Sequence, residues 1–182
     1  AITPISLDHR EILGPDIKTI TKEKGGIIKP KIPVVLGKQE KSSTSILHKI
    51  SKSKNSRIVY QEYPKNIKIS QEGTSFEIKN QFFKTPLIGN HQAFNAALSI
   101  TIVNQFDSKI NYEIIQKGLD KTTWPARLQK MLIKPPIFYD VAHNAKGIDV
   151  MLETLNSIYN ASPVGLITIK SDKEIDLIVK SI

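Results

Sequence analysis

The chain has 182 residues, 40% of them hydrophobic and 24% charged, which is enough for one large domain or two small ones with a real core. It has no cysteine, which excludes a disulfide framework and a thiolate zinc site and fits a reducing cytosol. The formal charge of +9 is nearly all lysine, because Arg10, Arg57 and Arg127 are the only arginines. The lysines are scattered and not interleaved with aromatics, so they read as a solvated surface rather than a nucleic-acid platform. No apolar run approaches the roughly 20 residues that span a bilayer. Ala1–Leu7 lacks the charged start of a signal peptide, and the chain reads as beginning inside a domain.

In chain order, Ile2–Leu7 reads as a strand and Asp8–Gly14 as a loop. Pro15 is suited to a first helical position, and Ile17, Ile20 and Lys24 keep a helical spacing until Gly25-Gly26 stops it. Ile32–Leu36 is a short apolar strand, Gln39–Lys52 a helix with Ile46, Leu47 and Ile50 inward, and Arg57–Tyr60 another strand. Asn66–Lys84 alternates around Gly73, as a hairpin or meander does. Asn90–Phe106 is the clearest helix, with Phe94, Ala97, Leu98 and Val103 as its stripe, and Tyr112–Leu119 is a short one. The polar Asp120–Pro125 stretch reads as a linker. Beyond it, Leu128–Ile133 and Ile137–Asp140 read as strands, Asn144–Tyr159 as a helix, Val164–Ile169 as a buried strand and Glu174–Ile182 as the start of a helix, the beginning of a parallel α/β unit.

Polar, ligand-capable side chains follow these strands twice, where open α/β sheets build their sites. That suggests a two-domain enzyme with its ligand in the cleft between domains. Asp8-His9 reads either as a turn in which Asp accepts from backbone amides or as a metal or phosphate contact. Lys24, at a helix end, is either a cation favoured by the helix dipole or, once converted to a carbamate, a metal ligand. Asn95 in Gly89–Ala97 is either part of a closely packed helix start or a carboxamide suited to the edge of adenine. Arg127 is a surface ion-pair partner or a fork for phosphate oxygens. Asp140 ends a strand where a carboxylate can accept from ribose hydroxyls, and His143 stands beside a helix start, where phosphates bind. Asn144 alone would suffice as a helix cap, so the reading favours function for Asp140 and His143. No G-x-x-x-x-G-K-[ST] loop occurs among these residues.

Taken together, Ile5–His9, Glu23–Pro30, Gly89–Ala97, Trp124–Gln129 and Phe138–Asn144 resemble, in order and spacing, the folylpolyglutamate synthase/dihydrofolate synthase family of the Mur ligase superfamily. The resemblance implies an α/β protein: the end of a P-loop-type ATPase domain (the Mur ligase central domain) over residues 1–120, then the first half of a Rossmann-like C-terminal domain over residues 121–182. It implies an ATP-dependent ligase that phosphorylates a pteroate or folate carboxylate and joins it to L-glutamate. The implied cofactors are ATP and Mg2+, and the implied setting is a cytoplasmic enzyme, monomeric when full-length, with no nucleic-acid or membrane partner. By the same resemblance His9 is a Mg2+ ligand and Lys24 a carbamylated lysine that helps hold Mg2+ and orient the acyl phosphate. Asn95 and Arg127 contact ATP, Asp140 holds the ribose, and His143 lies near the phosphates as a catalytic and nucleotide-binding group. Ser171-Asp172-Lys173 resembles a stretch near the glutamate end of the site.

Two residues depart from the family pattern. Gly25 stands where Ala is usual, and Ala126 where Gly is usual, which is awkward if that position needs positive φ. The rival readings are a cell-wall Mur-type amide ligase and a non-catalytic basic module or relic. The resemblance puts the phosphate loop, a metal-binding glutamate and most of the pterin pocket ahead of Ala1. The expectation is therefore that the purified 182-residue chain gives no ligase turnover; measurable ATP-dependent amide formation by it would refute this.

Overall fold

The structure is a computed structural model that describes residues 1–7, 10–159, 163–170, 175–180 and 182, with the backbone alone at positions 10 and 11. The readings placed on Asp8, His9 and Ser171–Lys173 fall outside the described residues. The rest divides into two compact units, residues 1–63 with 97–111 and residues 64–96 with 112–182. Among the described residues no helix is long and apolar enough to cross a membrane.

The first unit starts from a short parallel pair, β1 (Val34–Leu36) against β2 (Ile58–Tyr60), with Val34 opposite Ile58 and Leu36 opposite Tyr60. All three β1 residues are buried, as a strand covered on both faces requires. Ile2 adds a single parallel bridge to Leu36, so the strand expected over Ile2–Leu7 shrinks to that contact. Two further expectations are corrected here. The loop expected over Asp8–Gly14 contains a helical turn, α1 (Arg10–Leu13). Helix α2 (Ile17–Gly25) starts after Asp16 and not at Pro15, because the Asp16 carboxylate accepts from the Lys18 and Thr19 amides at 2.8 and 2.9 Å.

Helix α3 (Lys41–Ser53) packs against α2 and completes the core of Ile2, Ile5, Ile20, Ile28, Val34, Leu36 and Leu47. One buried polar link joins the two helices. Thr21 Oγ1 donates to the Ile17 carbonyl at 2.6 Å, so the 2.9 Å bond to Ser43 Oγ must use the Ser43 hydrogen.

The second unit is built on an antiparallel meander, β3 (Lys65–Ser70), β4 (Gly73–Ile78) and β5 (Gln81–Thr85), as the alternation predicts. Thr74, Phe76 and Ile78 face inward, and Phe76 stacks on Phe83 with ring centroids 5.9 Å apart. Helix α5 (Tyr112–Asp120) covers this face: Tyr112 meets the Phe83 ring, and the Gln116 carboxamide bonds both the N–H and the C=O of Lys84 on β5, at 3.1 and 3.0 Å.

Helix α4 (Asn90–Phe106) has the bounds its sequence predicts. Its buried residues are Gln92, Ala93, Ala96, Ala97, Leu98, Ile100 and Thr101, so small and polar side chains do much of the inward packing assigned to Phe94 and Val103. Its residues up to Ala96 belong to the second unit and the rest to the first. The antiparallel pair β6 (Gln129–Leu132) and β7 (Ile137–Tyr139) precedes α6 (Ala145–Tyr159), and α7 (Ile175–Val179) packs on α6. The buried strand expected over Val164–Ile169 is not one: among the described residues these pair with no strand, and Val164 and Leu166 are fully exposed. An apolar run becomes a strand only where a sheet edge receives it.

The Thr21–Ser43 link yields an asymmetric expectation. Thr21→Val strands the buried Ser43 hydroxyl and costs about 1–3 kcal/mol. Ser43→Ala leaves Thr21 bonded to Ile17 and costs less. Adding Ser43→Ala to Thr21→Val recovers most of the loss in urea-unfolding measurements.

Candidate functional site

Three segments of the second unit converge. The first is the turn that opens α4. Thr74 Oγ1, buried on β4, accepts from the Gly89 N–H at 3.0 Å and lies 3.3 Å from the Gly89 carbonyl oxygen. Gly89 has φ +126°, and a Cβ there would fall 2.6 Å from the His91 ring. Glycine is therefore required both by conformation and by the close approach of that imidazole.

The second segment is the turn ahead of β6. Ala126 and Leu128 both have positive φ, +60° and +44°. The strain is held by hydrogen bonds on each side of Arg127. The Ala126 carbonyl accepts from Val141 N at 3.1 Å, and its N–H donates to Gln129 Oε1 at 2.9 Å. Leu128 N–H donates to Asp140 Oδ2 at 2.7 Å.

The third segment is the loop between β7 and α6. Asp140 Oδ1 accepts from Ala142 N at 2.7 Å, so each carboxylate oxygen carries one backbone bond. His143 is exposed, with Nδ1 3.0 Å from the Val141 carbonyl. A carbonyl only accepts, so Nδ1 carries a hydrogen and Nε2 is the atom left for another partner. Asn144 caps α6, its Oδ1 accepting from Gly147 N at 2.8 Å.

His91 ties the segments together electrostatically. Its protonation is disfavoured chiefly by burial, is favoured by the Asp140 carboxylate and is opposed by Arg127, which holds its pKa below the usual 6.5. Asn95 stands one turn on, exposed, with Nδ2 donating to Gln92 Oε1 at 3.1 Å. Of the residues singled out in the sequence, Asn95, Arg127, Asp140 and His143 thus belong to one constellation, while Lys24 is exposed in the last turn of α2, in the other unit. Sequence reasoning passed over His91 and Gln92; the signal available was a polar pair opening a helix that then turns to alanine.

The donor set for a metal is incomplete. Among the described residues no cluster of three or more His, Asp or Glu side chains is placed to hold an ion. Lys24 as an ammonium is no ligand. The described residues do not by themselves fit Mg2+.

The chain is 31% identical over 180 residues to the dihydrofolate synthase/folylpolyglutamate synthase of Bacillus subtilis, covering 91% of this chain and 41% of that protein. It is 29% identical over 186 residues to the folylpolyglutamate synthase of Lacticaseibacillus casei, covering 95% and 43%. In structure it matches the Mycobacterium tuberculosis folylpolyglutamate synthase complexed with ADP at a TM-score of 0.89 and 28% identity, over 99% of this chain and 44% of that one. It also matches an FPGS–AMPPCP–folate complex at a TM-score of 0.78 and 28% identity, over 88% and 42%. Over nearly its whole length the chain is thus similar to proteins named folylpolyglutamate synthase or dihydrofolate synthase. No family model matches it, and it spans about two fifths of the length of these curated relatives.

Its departures from the usual folylpolyglutamate synthase pattern now have physical accounts. At Gly25 a Cβ would fall 2.5 Å from Ile50 Cδ1, so an isoleucine methyl from α3 occupies the space an alanine would need. At Ala126 the left-handed backbone is real, and this chain bears a strain that glycine avoids.

Ala126→Gly should accordingly stabilise the second unit by about 1 kcal/mol, read as a higher denaturation midpoint. The pH dependence of stability has a definite sign. His91 binds its proton less firmly folded than unfolded, so its contribution is intact above the ordinary value of 6.5 and stability falls as the pH drops below it. His91→Gln should flatten that acid-side slope in denaturation midpoints measured across the range.

Proposed function

We propose that these residues serve an ATP-dependent amide ligase that joins L-glutamate to dihydropteroate or to folates. The carrying observation is the gathering of Asn95, Arg127, Asp140 and His143 around the start of α4 and the end of β7, in a chain similar to a folylpolyglutamate synthase solved with ADP. The chemistry required is activation of a carboxylate, a poor electrophile. ATP transfers its γ-phosphoryl group to the carboxylate oxygen and leaves as ADP. The glutamate amine then attacks the acyl carbon and phosphate departs, which leaves the amide.

In this reading Asn95 meets the adenine and the exposed Arg127 guanidinium meets phosphate oxygens, where its fork neutralises charge that builds during transfer. Asp140 still has acceptor capacity on both oxygens after its two backbone bonds, and the ribose hydroxyls take it up. His143 Nε2 faces the phosphates. Lys24 and His9, with Lys24 as a carbamate, contribute to a Mg2+ site that other donors complete. The reading includes the division into a central-domain part, residues 1–120, and a C-terminal-domain part, residues 121–182. It also includes a cytoplasmic, monomeric enzyme without a nucleic-acid or membrane partner.

The test is ligation by the full gene product that carries these residues. The expected result is ATP consumption that needs both L-glutamate and a pteroate or folate acceptor, with one ADP and one phosphate released per amide. Turnover with a UDP-muramyl acceptor instead would assign it to the cell-wall branch. Salt-dependent binding to DNA or RNA with no Mg-ATP binding would mark a basic module. Arg127→Ala should weaken ATP binding on the order of tenfold to a hundredfold in calorimetry while leaving thermal stability within a few degrees of the parent.

A further inference from the structure

The first turns of α4 carry a row of side-chain hydrogen bonds that the ligase reading does not use. Gln92, buried, sets its Nε2 3.0 Å from His91 Nε2. Asn95 Nδ2 donates to Gln92 Oε1 at 3.1 Å. A carboxamide donates at one end and accepts at the other, so with Oε1 turned to Asn95 only hydrogens face the imidazole. His91 Nε2 therefore accepts, and the neutral ring carries its hydrogen on Nδ1. That Nδ1 is buried with no hydrogen-bond partner among the described residues, close to Gly89, where a Cβ would fall 2.8 Å from it. Gln92 is thus the residue that reads the ring's tautomer.

Donor and acceptor run in one sense through all three side chains. Turning any one of them end for end forces the others to turn, or leaves two donors or two acceptors facing each other. In the sense observed, Asn95 gives one Nδ2 hydrogen inward, which fixes the direction of its Oδ1. The adenine edge presents an amino donor beside a ring-nitrogen acceptor, the pattern that a fixed asparagine carboxamide matches with two hydrogen bonds. On the N7 edge hypoxanthine carries a carbonyl in place of that amino group and offers two acceptors instead.

We propose that His91 is a positioning residue of the nucleotide site: through Gln92 it decides which end of the Asn95 carboxamide is turned to the base, and so favours adenine. This rests on the reading that Asn95 meets the adenine. A proton on His91 Nε2 would oppose the Gln92 hydrogens and turn the row over. The charged groups that act on His91 are Asp140, from the loop after β7, and Arg127, from the turn before β6; Thr154 of α6, also near Gly89, carries no charge.

The experiment is a pH titration of the 15N-labelled chain followed by NMR, with ATP and inosine triphosphate binding measured on the full gene product that carries these residues. The expected result is an Nδ1-protonated neutral His91 and side-chain amide signals of Gln92 and Asn95 that move in step with its titration. In Gln92→Met the Asn95 signals stop following His91 while His91 still titrates, and the preference for ATP over inosine triphosphate falls about tenfold. Asn95 signals that ignore the titration of His91 in the parent chain would overturn the proposal, and this arm needs no variant to fold. Binding of neither nucleotide would instead remove the adenine reading of Asn95, while the titration still decides whether the three side chains act as one row.

Discussion

The carboxylate of Asp140 accepts from Leu128 on one oxygen and Ala142 on the other, and so clamps a strained turn to a loop twelve positions further along the chain. Arg127 lies between that bond and the Ala126–Val141 bond, so the backbone that carries its guanidinium is held on both sides. His143 and the capped start of α6 follow from the same clamp. A side chain at a strand end is thus both a structural brace and, in the proposed function, a ribose acceptor. The two roles are compatible because a carboxylate has about four acceptor positions and the backbone uses two. Replacing it by asparagine would set an amide donor against one of the two N–H groups, which is why its structural role alone resists substitution.

The site was legible in the sequence to the extent that its residues follow elements with strong local signals. The Asn66–Lys84 alternation and the Asn90–Phe106 helix appear as read, and they fix where Asn95 starts its turn of helix. The sequence marks Asp140 as a ligand group only, because its backbone partners include Leu128, a residue no local pattern links to it. His91 escapes a local reading for a similar reason: its environment depends on burial and on Asp140 and Arg127, which chain topology and not spacing brings near. The strand expected over Val164–Ile169 shows the limit from the other side, since hydrophobicity reports the wish to be buried and not the presence of a sheet that accepts the segment.

The first unit shows how little polar structure a small core tolerates. Leu47 and Ile20 are fully buried beside the Thr21–Ser43 bond, and each hydroxyl there has a definite donor or acceptor role. The helices that meet at this bond approach closely enough at Gly25 for an α3 isoleucine methyl to take the place of a side chain. Lys24 is the next residue outward from that contact. Its position on the surface is set by the fit of its buried neighbour, so the two small-residue departures from the family pattern both lie beside residues assigned to the chemistry.

The Gln116 carboxamide on β5 has a bearing on how this protein behaves in company. The outer margin of a meander presents unpaired amides and carbonyls, which invite a strand from another molecule to add on and start a growing aggregate. By occupying both backbone groups of Lys84, next to the end of β5, one side chain from α5 blunts that margin without adding a strand. One glutamine therefore takes up two of the backbone groups through which that edge could pair with another chain.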